Sequence, residues 1–81
     1  MLEPDRKAAM GATMLIQAYY QANLEASSLS ADFVVFLKAT LAQVSPSLDV
    51  MDLINDVEAR FNEAGGVQMP DGSQHEVRTF L

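Results

Sequence analysis

From Leu48 to Ala64 the apolar residues Val50, Leu53, Ile54, Val57, Phe61 and Ala64 recur at the helical period, and Gly65-Gly66 follows directly. No other stretch constrains the fold as much. A stripe of that width must be buried against something, and paired glycines supply the left-handed residue on which helices end. The spacing therefore predicts an amphipathic helix over 48–64, started by Ser47 as a cap with Asp49 in its first turn. The rest of the chain has to provide the cover.

Two upstream segments can do so. Pro4 suits a first helical turn. From there to about residue 26, Ala8, Ala12, Leu15, Tyr19, Ala22 and Ala26 fall on one face, flanked by Gly11 and Ala18. This predicts a helix over 4–26 whose small side chains admit a close neighbour, with Leu15 and Tyr19 as the bulky knobs and Tyr20 at the border. Ser27-Ser28-Leu29-Ser30 interrupts the pattern. Ser30 is a natural N-cap, and Leu29 with Val34 occupies the positions of a hydrophobic staple. The helix predicted over 31–44 is apolar on nearly all sides through Phe33, Val34, Val35, Phe36, Leu37, Leu41 and Val44, as a central, buried helix would be.

Past the glycines, Val67-Gln68-Met69 and Gln74 to Phe80 flank Pro70-Asp71-Gly72-Ser73, a turn signal. Val77, Thr79 and Leu81 alternate with Glu76, Arg78 and Phe80. The expectation over 67–81 is a short hairpin, or an extended tail, that leans on the helices or on another chain. The predicted fold is thus all-α: one small three-helix domain over 1–81 with a short C-terminal β-hairpin or tail.

Charge and composition remove several functions. Five Lys and Arg stand against eleven Asp and Glu, for a net charge of −6, so the cations needed to neutralise a duplex are lacking. A trihelical DNA reader with a β-wing has the same order of elements, but neither its third helix nor its wing would be basic here. The chain has no cysteine, which excludes disulfides and thiolate metal sites. Its longest apolar run, Phe33 to Leu37, is far short of the roughly 20 residues of a membrane span. Glu3 and Asp5 beside Arg6 and Lys7 do not make the basic start of a signal peptide. A cytoplasmic location is expected, with no membrane and no direct nucleic-acid partner.

No catalytic constellation is visible. His75 is the single histidine, beside Asp71 and Glu76, and reads as a surface residue rather than as part of a triad or metal site. Ser27, Ser28, Ser30, Ser45 and Ser47 flank helices, where capping accounts for them. No enzyme activity, metal or cofactor is expected.

Two surfaces remain. Asp49, Asp52, Asp56 and Glu63 lie on the third helix opposite its apolar stripe. Residues 48–64 hold five acids, Glu58 included, against Arg60, which is −4 of the net −6. This face is either a docking surface for a basic patch on a partner protein, steered by its field, or a solvated face that maintains solubility. On the first helix, Met10 and Met14 share a side with Gln17, Gln21 and Leu24. They can contact a partner helix or edge the core, and a homodimer through this helix would complete a small core. The leading expectation is a small, acidic, non-catalytic protein-binding module, an adaptor, regulator or inhibitor. A structural subunit of a homo-oligomeric assembly is an alternative.

Ser47-Leu48-Asp49, followed by Leu53, Val57, Glu58 and Phe61, resembles the start of the recognition helix of acyl carrier proteins, over about fifteen residues. That resemblance implies a carrier domain with phosphopantetheine on Ser47 and an acidic face for basic enzymes. The chain departs from the family in having Pro46 where an acid precedes the serine, a helix ending just before it, and Gly-Gly plus a hairpin in place of the closing helices.

Overall fold

The computed structural model describes residues 3–78, as three helices and a two-stranded antiparallel hairpin in the order α1 (Glu3–Ala22), α2 (Ala31–Val44), α3 (Val50–Glu63), β1 (Val67–Gln68) and β2 (Gln74–His75). The three-helix architecture with a C-terminal hairpin is the expected one.

α1 stops at Ala22, short of the boundary read from its apolar spacing. Asn23 ends it: its side-chain amide donates to the Tyr19 carbonyl at 2.8 Å, and its backbone N–H donates to Tyr20 at 3.2 Å. The last carbonyls are thereby satisfied without another helical turn. The buried face is also rotated from the expected one. Ala8, Ala12, Ile16 and Tyr20 are enclosed, Leu15 and Tyr19 are half-buried, and Ala22 is exposed. Tyr20, expected at the border, is the largest fully buried side chain among the described residues.

α2 begins as expected. Ser30 Oγ accepts from the Phe33 N–H at 3.2 Å, while Leu29 is buried beneath and Val34 half-buried. Its predicted central position is not observed. Only Leu37 and Leu41 are enclosed; Val35 and Phe36 remain 65% and 48% exposed. The central helix is α1, which packs against α2, α3 and β1. Small residues at 8 and 12 let α1 take that place, because interhelical distance is set by the side chains at the contact.

α3 starts two residues later than the sequence reading had it, and its N-cap is Asp49, not Ser47. The Asp49 carboxylate accepts from the Asp52 N–H at 3.1 Å. Ser45 closes α2, its N–H donating to Leu41 at 2.9 Å and its buried hydroxyl donating to Asp5 on α1. At its far end α3 finishes in a Schellman motif: Gly66 N–H reaches Phe61 at 2.7 Å and Gly65 N–H reaches Asn62 at 3.0 Å. Both glycines have positive φ.

The hairpin pairs Val67 with His75 and Gln68 with Gln74. Gly72 N–H donates to Met69 across the turn at 3.0 Å, and Met69 N–H donates to Ser73 at 2.8 Å. The second strand ends at His75 rather than near Phe80. The Asn62 side chain takes over the backbone of Val77, its Oδ1 accepting from Val77 N–H at 3.0 Å and its Nδ2 donating to Val77 O at 2.7 Å. This amide acts as a one-residue strand partner supplied by α3. Arg78 N–H then donates to Ser27 at 3.0 Å. The expected alternation of Thr79, Phe80 and Leu81 lies outside the described residues. The hairpin leans on the helices as a two-stranded unit must: Val67, Met69 and Val77 are buried, and Gln21 on α1 donates to the Gln68 carbonyl at 2.9 Å.

Candidate functional site

The outward face of α3 carries Asp49, Asp52, Asp56 and Glu63, all exposed. They line up because the helix buries Val50, Leu53, Ile54 and Val57 on its other side. Two of the four already have partners. Asp49 caps the helix, and Asp56 pairs with Arg60 at 3.0 Å, with both side chains more than half exposed. An exposed i,i+4 pair of this kind contributes about 0.3–0.5 kcal/mol, so it leaves the face acidic. The fifth acid of the segment, Glu58, turns inward. It is only 4% exposed, and the hydroxyl of Tyr20 donates to its Oε2 at 2.9 Å. The sequence signal for this was available: Glu58 follows Val57 directly and sits at the edge of the apolar stripe.

Met10 and Met14 project from α1 and are 63% and 70% exposed. They stand on a different helix from the acidic residues. The structure therefore presents two separate sets, one charged on α3 and one apolar on α1. Sequence reasoning missed a third set, because it placed α2 inside: Val35 and Phe36 form an apolar outer face there, and Val44 is 42% exposed.

Ser47 is exposed in the turn between α2 and α3, ahead of the Asp49 cap, and does not begin a helix as the carrier resemblance implies. Ser45, not Ser47, is the buried serine of that turn.

His75 lies on the hairpin within reach of a hydroxyl. Its Nε2 is 3.2 Å from Ser73 Oγ, and Ser73 Oγ donates to Asp71 Oδ1 at 2.6 Å. The three residues alternate from the turn into β2, yet the order of bonds is wrong for a hydrolytic relay. In a Ser-His-Asp triad the imidazole stands between hydroxyl and carboxylate. Here the hydroxyl stands between the carboxylate and the imidazole, and it donates to Asp71. The Ser73 N–H also donates to Asp71 Oδ1 at 2.9 Å, closing an Asx turn. These bonds, the side-chain one first, hold the Asp71 carboxyl below its ordinary range, with the nearby His75 adding to the effect. The cluster is turn architecture. Asp71, Ser73 and His75 also line, together with Leu24, Met69 and Pro70, a small cavity of about 140 Å3.

A more polar recess of about 230 Å3 lies between α3 and the C-terminal segment, lined by Asn55, Glu58, Ala59, Asn62, Val77 and Arg78. No three His, Asp or Glu side chains among the described residues are grouped so as to hold a metal ion. No described helix is long and apolar enough to cross a membrane. No protein-family model matches the chain, and neither curated proteins nor solved structures yield a match.

Proposed function

We propose that the protein is a small non-catalytic binding module that docks a basic surface of another protein through the outward face of α3. The observation that carries this reading is the exposure of Asp49, Asp52, Asp56 and Glu63 on one helix face where Arg60 is the single cation. Such a stripe raises the encounter rate with a cationic partner and fixes its register more than it adds affinity. Met10 and Met14 supply adaptable apolar area of the kind that promiscuous interfaces use.

Affinity capture from the protein's own host, with the wild type and the D52K/D56K double variant side by side, tests the proposal. The wild type should retain a specific protein that elutes as ionic strength rises. The variant should lose it while its helical circular dichroism is unchanged, since neither side chain is buried. Equal capture by the two chains overturns the proposal.

A further inference from the structure

Asp71-Gly72 is the single Asp-Gly step in the chain, and the turn between β1 and β2 displays it with both residues exposed. Such a step is chemically labile. The glycine nitrogen can attack Cγ of the preceding side chain, and glycine has no Cβ to obstruct the approach. The new C–N bond closes a five-membered succinimide while a carboxyl C–O bond breaks, and the hydroxyl leaves as water with the amide proton. Water then adds back at either ring carbonyl. At Cγ it restores aspartate; at the main-chain carbonyl it cuts the original peptide bond and leaves the chain running through Cγ, an isoaspartate of unchanged mass. Apart from its chain neighbours, no described atom lies within 4 Å of where a Gly72 Cβ would stand, so nothing bulky shields the nitrogen.

The folded hairpin engages both reacting groups. Gly72 N–H donates to the Met69 carbonyl at 3.0 Å, which holds the proton that ring closure must release. Asp71 Oδ1 accepts twice from Ser73, from its Oγ at 2.6 Å and from its N–H at 2.9 Å, so the carboxyl is directed to the residue beyond Gly72. These two bonds, the side-chain one first, also hold the carboxyl below its ordinary range. The ionised form is the poorer electrophile, because it has no hydroxyl to lose. Three hydrogen bonds in an exposed turn thus restrain the step, and local opening of the hairpin releases all of them together.

We propose that Asp71-Gly72 is a latent site of backbone modification, converted to isoaspartate when the hairpin opens and guarded by Ser73 and the Met69 carbonyl while it is closed. The product does not refit the turn. Met69 bonds both Gly72 and Ser73 across it at a spacing set by an α-linked chain, and the isoaspartyl linkage adds one backbone carbon between them. A transient opening is thereby recorded as a lasting loosening of β1 from β2. The site lies on the hairpin and does not depend on the docking role of α3.

Prolonged incubation of the full chain near neutral pH, folded in buffer and unfolded in urea, tests the proposal. Isoaspartate at position 71 is counted by peptide mapping with electron-transfer fragmentation. The unfolded wild type should convert on the order of a hundredfold faster than the folded one. Folded Ser73→Ala should convert about tenfold faster than folded wild type, having lost one hydrogen bond to a charged acceptor. Ser73→Thr keeps the hydroxyl and should match the wild type. In urea all three chains should convert alike, because neither substitution touches the reacting atoms. An unfolded chain that forms no isoaspartate at Asp71 overturns the site. Equal rates in the folded and unfolded wild type overturn the guard, and so does a folded Ser73→Ala no faster than wild type.

Discussion

Tyr20 and Glu58 show how one pair of residues can settle the orientation of a helix. The first helix has two adjacent apolar rows, Leu15 with Tyr19 and Ile16 with Tyr20, and its own sequence scarcely distinguishes them. A carboxyl group buried 38 positions away on α3 does, because a buried polar group needs a hydrogen-bond partner and the Tyr20 hydroxyl donates to it at 2.9 Å. Tyr20→Phe removes that donor and should lower the free energy of unfolding by about 1–3 kcal/mol in urea titrations, while Tyr19→Phe should cost less. Gly66 is a second decisive position. With φ +115, a Cβ there would stand 2.4 Å from the carbonyl carbon and oxygen of His75, where backbone leaves no room to yield. Gly66→Ala should cost about 3 kcal/mol or more. Gly11→Ala, in a helix with nothing within 4 Å of the new methyl, should gain about 1 kcal/mol. Thermal melts of the two variants should move in opposite directions.

At the scale of elements, the segment after the hairpin is secured by a side chain rather than by a ladder. Asn62 makes both hydrogen bonds with Val77 that a neighbouring strand would have made. Asn62→Ala should leave a buried residue's N–H and C=O without those partners and cost about 2 kcal/mol. Hydrogen exchange at the Val77 amide should accelerate well before that of α1. The existence and order of the helices was legible in the sequence. Ser30 caps α2, and the α3 period with Gly65-Gly66 marks its end, because caps and periodicity are local properties. The N-cap of α3 was misread at Ser47 because Asp49, taken for a first-turn acid, is an equally good cap, and only the turn geometry around the buried Ser45 decides between them. The premature end of β2 at His75 was not legible: nothing near residue 77 indicates that an asparagine on α3 will bond its backbone.

At the scale of the whole molecule, the misplacement of α2 is the instructive one. Phe33 to Leu37 is the most apolar run in the chain, and a single-chain reading assigns such a run to the centre. The centre instead went to α1, whose alanines permit close approach on more than one side. The bulk of α2 was left with an inner face, Leu37 and Leu41, and an outer one. Composition reports how much apolar surface must be covered, not whether the same chain covers it. The acidic stripe was legible for the converse reason, since a face opposite an apolar stripe has nowhere to go but outward. Glu58 escaped that rule by lying at the stripe's edge. Its pairing with Tyr20 also gives the molecule an optical property. The chain has no tryptophan, so its near-ultraviolet emission comes from Tyr19 and Tyr20 alone. A phenol hydrogen-bonded to a carboxylate passes its proton along that bond on excitation and returns to the ground state without emitting. The folded protein should therefore be dim and should brighten when it unfolds, and Tyr20→Phe should remove little of the folded protein's light while halving that of the unfolded chain.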